Sequence, residues 1–175
     1  MNNKPKKLLI ANRGEICRRI AASAKLLGWQ TVAVLTEDKI PAYLAPHIDK
    51  FVDARNHPTN PSLDQDYLIG LAKEHHATAV HPGFGFLSEN AQFARLVGEN
   101  KLIWVGPHPK GMELMASKEA ARHIAEKAGV PVNSGLTGLR FDESDPKSLD
   151  PLFKFAEKVG FPLIIKAAFG GGGKG

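Results

Sequence analysis

Short apolar segments that alternate with amphipathic helical patterns are the feature of this sequence that most restricts its fold. Four of these segments have the length and composition of buried strands, and they span residues 8–11, 31–35, 77–80 and 102–105, with a weaker candidate at 51–52. Two parallel strands need a long crossover connection, usually a helix, so this alternation predicts a parallel sheet with helices on both faces. We therefore expect residues 1–106 to form one α/β domain, a Rossmann-like doubly wound parallel sheet.

The helices between these strands are indicated by apolar residues at helical spacing. Four such residues recur every three or four positions after the first strand: Ile16, Ile20, Ala24 and Leu27. Gly28 follows them as a helix stop, and residues 63–76 and 89–98 predict two further helices. The single cysteine, Cys17, falls on the apolar side of the first helix, where we expect a buried small hydrophobic side chain rather than a reactive thiol.

The pattern changes after Gly106 and Pro107. Ser117 is placed to cap a helix that Gly129 would end. Small or apolar residues line one face of that helix: Ala120, Ala121, Ile124, Ala125 and Ala128. We expect residues 107–133 to form a helical linker.

Residues 134–175 have the composition expected at the start of a second domain. Turn-forming residues dominate 134–146, residues 149–159 are amphipathic, and residues 161–167 have the composition of a strand. A run of glycines follows that strand, and a glycine loop needs a following element to hold it. We therefore expect the second domain to be incomplete within this sequence.

Composition excludes several classes of protein. The chain has 175 residues, of which 43% are hydrophobic and 23% charged, as in ordinary globular proteins. No apolar run approaches the ~20 residues that a membrane span needs, and no signal-peptide pattern is present at the start. The net charge of +5 is spread along the chain, which favours an anionic ligand only weakly and does not suggest nucleic acid. The single cysteine fits a reducing compartment, so we expect a cytoplasmic protein. The charge and hydropathy patterns predict neither a nucleic-acid nor a membrane partner.

Two polar segments follow strands of the predicted sheet. Residues 12–15 (NRGE) follow the first strand, and residues 81–90 (HPGFGFLSEN) follow a later one. Ligands of open parallel sheets bind beyond the carboxyl ends of the strands, so both segments are expected at the ligand edge. The first turn lacks the three glycines of the dinucleotide fingerprint, which disfavours an NAD-binding site.

The 81–90 segment is compatible with two interpretations, a binding loop and a purely structural turn. Gly83 and Gly85 permit a tight turn, and Ser88 is placed to cap the next helix. Glu89 would then lie at the positive end of that helix. Both interpretations require these features, so the residues alone leave the choice open.

The end of the chain suggests an anion site. Four glycines and a lysine follow the last predicted strand: Gly170, Gly171, Gly172, Gly173 and Lys174. The backbone N–H groups of such a loop can surround a phosphate, and Lys166 on the preceding strand can bind the same anion, although a flexible linker is the alternative. Lys118 in the first turn of its helix opposes the helix dipole, which suggests a ligand or an ordinary solvated lysine. The histidines show no metal-binding spacing, so no zinc site is expected.

Taken together, these motifs resemble those of the biotin carboxylase family. The similar segments occur in the same order along the chain and span residues 11–20, 81–90, 104–107, 115–122, 128–132 and 160–175. The resemblance implies a biotin carboxylase N-terminal domain, a helical linker, and the truncated start of an ATP-grasp domain at residues 134–175. It also implies an enzyme that uses ATP, Mg²⁺ or Mn²⁺ and bicarbonate to carboxylate biotin on a carrier protein or domain.

The resemblance assigns roles to particular residues. Lys118 and Lys166 match two lysines that contact ATP, and the glycine run with Lys174 matches the lid that folds over the phosphates. Gly83 and Glu89 match positions beside the biotin pocket, and Arg19 matches an arginine near the pocket and the subunit interface. Phe84 stands where the family usually has tyrosine, so a hydroxyl group near the biotin site is missing.

The family's metal ligands, its bicarbonate-binding arginine and its general base have no counterpart in these 175 residues. We therefore expect no catalytic residue in this sequence, and no ATPase activity from the chain alone. The intact enzyme is expected to be a homodimer that works with a biotin carrier and a carboxyltransferase component, which selects the final acceptor. Two alternatives are another ATP-grasp ligase, similar to carbamoyl-phosphate synthetase, and a non-catalytic oligomerisation or regulatory module.

Overall fold

The computed structural model describes residues 6–166. The chain divides into two compact units, Met1–Glu113 and Leu114–Gly175. The first unit is built around a sheet of five parallel strands, which are β1 (Lys7–Ile10), β2 (Gln30–Leu35), β3 (Lys50–Asp53), β4 (Ala79–His81) and β5 (Ile103–Trp104). All five were predicted from the apolar segments.

The strand order is β3-β2-β1-β4-β5, with β1 in the centre. The chain therefore extends the sheet on one side of β1 through β2 and β3, and then returns to the other side for β4 and β5. The strand order reverses between β1 and β4, which is where open α/β sheets form a crevice for ligands. The arrangement confirms the predicted doubly wound parallel fold.

Helices cover both faces of this sheet. Helix α1 (Gly14–Leu26) packs against one face, and α2 (Gln65–Glu74) and α3 (Ala91–Glu99) pack against the other. On the α1 face Cys17 is 1% exposed, which confirms its predicted place in the core, and on the other face Phe93 is fully buried. Gly28 adopts a φ of +72°, a conformation that glycine favours, just after the end of α1.

The end of the first unit and the second unit contain three α-helices in the described residues. Helix α4 (Pro109–Ala116) follows β5, and α5 (Lys118–Lys127) and α6 (Asp150–Val159) lie in the second unit, with a 3₁₀ turn at Pro146–Leu149. The side-chain oxygen of Ser117 accepts a hydrogen bond from the N–H of Ala120 at 3.3 Å, which confirms the predicted cap of α5. The helix at 149–159 is likewise confirmed.

One predicted element of the second unit is wrong. Residues 161–166 do not form a strand, although they carry the apolar sequence expected of one. A strand is defined by hydrogen bonds to a neighbouring strand, and the described residues of this unit provide no partner. Apolar composition indicates a strand, but it does not identify a neighbouring strand with which the segment could pair. Ile164 and Ile165 are 80% and 79% exposed.

Candidate functional site

The carboxyl ends of β1 and β4 are neighbours in the sheet. Ile10 pairs with His81, and the N–H of Ala11 donates a hydrogen bond of 2.9 Å to the carbonyl oxygen of His81. The residue that follows β1, Asn12, therefore lies beside the start of the 81–90 segment. The two polar segments that the sequence placed at the ligand edge are in contact there.

Asn12 holds the first part of the 81–90 segment in place. Its side-chain Nδ2 donates two hydrogen bonds, 2.6 Å to the carbonyl oxygen of Pro82 and 2.8 Å to that of Phe84. Its Oδ1 accepts a hydrogen bond of 2.9 Å from the N–H of Arg13. The side chain is buried, with 5% of the residue exposed, so both of its donors and its acceptor have protein partners.

Gly83 occupies a position that only glycine fits. Its φ is +69°, and a Cβ atom placed on it would lie 2.5 Å from Asn12 Nδ2 and 2.8 Å from Ile16 Cγ2. Real Cβ contacts are not this close, and the φ value is itself unfavourable for other residues. Gly83 therefore permits the close approach that the two hydrogen bonds of Asn12 require.

His81 contacts the same turn from the strand side. Its Nδ1 accepts a hydrogen bond of 3.0 Å from the N–H of Gly83, which assigns the ring proton of the neutral form to Nε2. Burial lowers the pKa of His81 below its usual 6.5. The neutral ring that accepts the Gly83 N–H is therefore also the form that the surroundings favour.

The rest of the segment presents a mixture of anchored and exposed side chains. Leu87 is buried, whereas the Phe84 side chain is 66% exposed and Glu89 is exposed. The guanidinium group of Arg13 lies over the Phe86 ring, 5.5 Å from its centroid, in the geometry of a cation–π contact. The segment thus has a fixed base and an exposed apolar tip.

The predicted helix cap in this segment is wrong. Asn90 caps α3, because its Oδ1 accepts a hydrogen bond of 2.8 Å from the N–H of Phe93. The backbone N–H of Ser88 instead donates to the carbonyl oxygen of Gly85, and that of Asn90 donates to Leu87. These turns place residues 88–90 outside the helix, so Glu89 lies before its first residue rather than in its first turn.

Arg19 lies on α1 and faces a cleft next to the 81–90 segment. One of its guanidinium nitrogens donates a hydrogen bond to Ser23 Oγ on the next turn. The cleft has a volume of about 460 Å³, and its lining includes Arg19, Ser23, Leu27, Trp29, His81 and Val105. The structure therefore brings Arg19 and the first residue of the 81–90 segment to one cleft.

The predicted phosphate-binding residues belong to the second unit. Lys118 is the first residue of α5 and Lys166 is the last described residue, and both are exposed. Gly170, Gly171, Gly172, Gly173 and Lys174 lie outside the described residues. The side-chain Oε1 of Glu119 accepts a hydrogen bond from the N–H of Gly138, which joins the loop after α5 to its first turn, next to Lys118.

Within residues 6–166, no group of three or more histidine, cysteine, aspartate or glutamate side chains is arranged to hold a metal ion. The same residues contain no helix with the length and apolar character that a membrane span requires.

Sequence reasoning placed Asn12 at the ligand edge but did not find its contacts. The signal was an asparagine directly after a buried strand, and a polar side chain at the end of such a strand is a sign of a constrained loop. The contact of His81 with Gly83 was likewise not predicted from the sequence. Finding either contact required the strand order, because β1 and β4 are neighbours in the sheet although about seventy residues separate Asn12 from the carbonyls that it binds.

Comparisons with known proteins give matches over nearly the whole chain. Residues 4–112 match the family described as "Biotin carboxylase, N-terminal domain". Residues 117–175 match the family described as "Carbamoyl-phosphate synthase L chain, ATP binding domain". The first match contains Asn12, Arg19 and the whole 81–90 segment, and the second contains Lys118, Lys166 and the glycine run.

The chain is similar to curated enzymes that are considerably longer. It is 42% identical over 173 residues to a pyruvate carboxylase of Pichia angusta, which covers 97% of this chain and 14% of that protein. It is 39% identical over 170 residues to the 2-oxoglutarate carboxylase small subunit of Hydrogenobacter thermophilus, which covers 97% of this chain and 35% of that protein. The chain thus spans between about a seventh and a third of these relatives.

Solved structures show the same likeness. The biotin carboxylase domain dimer of the Hydrogenobacter thermophilus 2-oxoglutarate carboxylase, in complex with MgADP, ADP and bicarbonate, superposes with a TM-score of 0.82 at 37% identity, covering 97% of this chain and 36% of that one. A Rhizobium etli pyruvate carboxylase structure gives a TM-score of 0.76 at 33% identity, covering 98% of this chain and 15% of that one.

Proposed function

The chain belongs to the biotin carboxylase family, since residues 4–112 match the family's N-terminal domain, and we propose that it forms the N-terminal part of an enzyme that uses ATP and bicarbonate to carboxylate biotin. The observation that carries this proposal is the construction of the 81–90 segment. That segment lies at the point where the strand order reverses, is fixed at its base by Asn12, and leaves the Phe84 side chain exposed. The exposed aromatic ring at this edge of the sheet is available for contact with a ligand.

We assign the biotin pocket to the first unit. Gly83, Phe84 and Glu89 would form one wall, and Arg19 would lie at the side of the pocket. The exposed Phe84 ring offers an apolar surface for the ring system of biotin, but it offers no hydroxyl group. Specific hydrogen bonds to biotin would therefore come from the backbone of the segment or from other residues.

We assign ATP to the second unit. Lys118 and Lys166 are exposed residues whose ammonium groups would neutralise phosphate charge, and Gly170 to Gly173 with Lys174 would close over the phosphates. A divalent ion would add charge neutralisation to phosphoryl transfer. The described residues hold no group suited to that ion, so we propose that its ligands lie outside residues 6–166.

The partners of the whole enzyme follow from this assignment. We propose that bicarbonate is the second substrate and that biotin arrives on a carrier protein or domain, from which a carboxyltransferase component moves the carboxyl group to its acceptor. The structure of a relative as a domain dimer with MgADP and bicarbonate supports a dimeric enzyme with these substrates. The 175-residue chain alone would bind ATP too weakly to measure at micromolar concentration and would not hydrolyse it.

The test is a phosphate-release assay on the protein produced from the complete reading frame. We expect ATP hydrolysis that requires both bicarbonate and biotin, while the 175-residue chain gives the rate of a blank without protein. Hydrolysis that bicarbonate stimulates but biotin does not would overturn the assignment of the pocket. Hydrolysis by the isolated chain would contradict the proposal that residues outside it are needed for catalysis.

A second candidate is a ligase similar to carbamoyl-phosphate synthetase, which the match of residues 117–175 favours. Such an enzyme would hydrolyse ATP in the presence of bicarbonate and respond to ammonia instead of biotin. Adding each co-substrate separately distinguishes the two. A protein that responds to neither would have the role of a binding or regulatory module.

A further inference from the structure

We infer that Asn12 is a positioning residue for biotin carboxylation, which sets the geometry of the 81–90 segment without contacting a substrate. This inference rests on the proposed function, because it concerns the wall of the proposed biotin pocket. Asn12 binds the carbonyl groups of Pro82 and Phe84, so a single side-chain amide holds the backbone on both sides of Gly83.

These contacts, together with His81, leave the turn little freedom. The carbonyls of residues 82 and 84 are directed at Asn12 Nδ2, and the N–H of Gly83 is directed at His81 Nδ1. A side chain on residue 83 would collide with Asn12, so the turn and the asparagine fit each other closely. The backbone of Phe84 is therefore fixed even though its ring is exposed.

The anchor itself is rigid, because it follows the central strand of the sheet. Ile10 is fully buried and Ala11 is 1% exposed, and the N–H of Ala11 is bonded to the carbonyl of His81. Asn12 thus fixes the 81–90 segment relative to the paired strands β1 and β4. Preorganised loops bind with less loss of conformational entropy than mobile ones, so removing the anchor should weaken biotin binding specifically.

The experiment compares steady-state kinetics of variants in the protein produced from the complete reading frame. Asn12→Asp keeps the size of the side chain and the acceptor for Arg13, but it removes both donors and sets an oxygen against two carbonyl oxygens. Asn12→Ala removes all the contacts. Losing two hydrogen bonds of ordinary strength should raise KM for biotin about tenfold or more in both variants, with KM for ATP within about twofold of the wild type.

The matched control is Thr31→Val. Thr31 is also buried, at 1% exposed, and its hydroxyl group joins β2 to a loop through Asp49 and the carbonyl oxygen of His47. It lies at the amino end of its strand, and none of its hydrogen bonds involves the 81–90 segment. We expect the control variant to lose thermal stability to an extent comparable with Asn12→Ala while KM for biotin stays unchanged.

The outcomes separate the inference from the proposed function. If the wild type shows no biotin-dependent ATP hydrolysis, the proposed function fails, and the inference fails with it. If the wild type is active but both Asn12 variants keep KM for biotin within twofold, only the inference is wrong. An equal rise of KM for ATP, or an equal rise of KM for biotin in Thr31→Val, would show general destabilisation and would also overturn it. Asn12→Asp retains the side-chain volume, so its KM for biotin decides the outcome if Asn12→Ala does not fold.

Discussion

The side-chain amide nitrogen of Asn12 lies 2.6 Å from the carbonyl oxygen of Pro82, a residue seventy positions later in the chain. This hydrogen bond joins the loop after β1 to the loop after β4, the two strands between which the order of the sheet reverses. The buried amide leaves neither donor without a partner, so the contact is part of the folded core rather than a chance surface contact. This edge of the sheet is therefore held together by the hydrogen bonds of a buried side chain.

Gly83→Ala should destabilise the first unit much more than Gly85→Ala. Both glycines have a positive φ, +69° and +66°, so both substitutions incur the backbone cost of roughly 1–2 kcal/mol. Only at Gly83 would the new Cβ meet Asn12 and Ile16, whereas nothing lies within 4 Å of a Cβ on Gly85. We expect Gly83→Ala to lower the free energy of unfolding by about 1–3 kcal/mol more than its control, as overpacking does. Urea unfolding of both variants measures the difference, and equal losses would contradict the close approach.

Acidification should destabilise the first unit through His81. Its folded-state pKa lies below the usual 6.5, because burial disfavours the charged ring, so the unfolded chain binds the proton more readily. The free energy of unfolding should therefore fall as pH drops below about 6.5, until His81 is also protonated in the folded state. A protonated Nδ1 can no longer accept the Gly83 N–H. We expect NMR titration of the ring to give a midpoint below 6.5, and His81→Gln to flatten the pH dependence; a midpoint above 6.5 would refute this.

Cys17 should resist thiol reagents in the folded protein. Burial, with a smaller contribution from the charge of Glu37, raises the pKa of the thiol to about 12. At pH 8 the thiolate is therefore scarce, and the side chain is also 1% exposed. We expect no labelling by iodoacetamide over an hour at pH 8, and complete labelling of the same protein in urea, both read by intact mass. Rapid labelling without denaturant would mean that α1 opens from the sheet.

Thr31→Val should lower the free energy of unfolding by about 1–2 kcal/mol, because it leaves buried partners unsatisfied. The hydroxyl group of Thr31 accepts from the N–H of Asp49 at 3.1 Å and lies 3.0 Å from the Asp49 carboxylate. Thr36→Val is the control, since Thr36 is partly exposed and its hydroxyl group is 3.5 Å from the adjacent Glu37 carboxylate. Thermal or urea unfolding should show almost no change for the control. Similar losses in both variants would argue that the valine itself, rather than the lost hydroxyl group, is responsible.

The sequence predicted the sheet and the helices on its faces because each has a local periodic signal. Consecutive strand residues such as Leu9 and Ile10 are both apolar because both faces of the sheet are buried. Cys17, Ala21 and Ala24 recur at helical spacing because one face of α1 packs against the sheet. Asn12 has no such signal. Its partners are seventy and seventy-two residues away, and only the order of the strands brings them together.

The errors have equally physical causes. Serine and asparagine are both good helix caps, so residue type alone does not decide between Ser88 and Asn90. The hydrogen-bonded turns Gly85–Ser88 and Leu87–Asn90 delay the start of the helix, so Asn90 becomes the cap. Helix α4 lies within the predicted helical linker, but its bounds were not predicted, because Met112 is its only buried residue and it shows little apolar periodicity. Residues 161–167 were predicted as a strand from their apolar composition, but a strand also needs a partner, and residues 161–166 form no strand.

Substitutions at the two ends of α5 separate the proposed role of Lys118 in ATP binding from the stability of the helix. Lys118 begins α5, where a positive charge opposes the helix dipole, and Lys127 ends the same helix, where a positive charge is favourable. In the protein produced from the complete reading frame, Lys118→Gln should raise KM for ATP about tenfold or more, because it would remove the proposed charge-assisted contact with phosphate, while KM for biotin stays within about twofold. Lys127→Gln should change stability by a few tenths of a kcal/mol and leave both KM values unchanged. If Lys118→Gln left KM for ATP unchanged, Lys118 would not contact the nucleotide. The proposed nucleotide site of the second unit would then depend on Lys166 and on the residues that follow it.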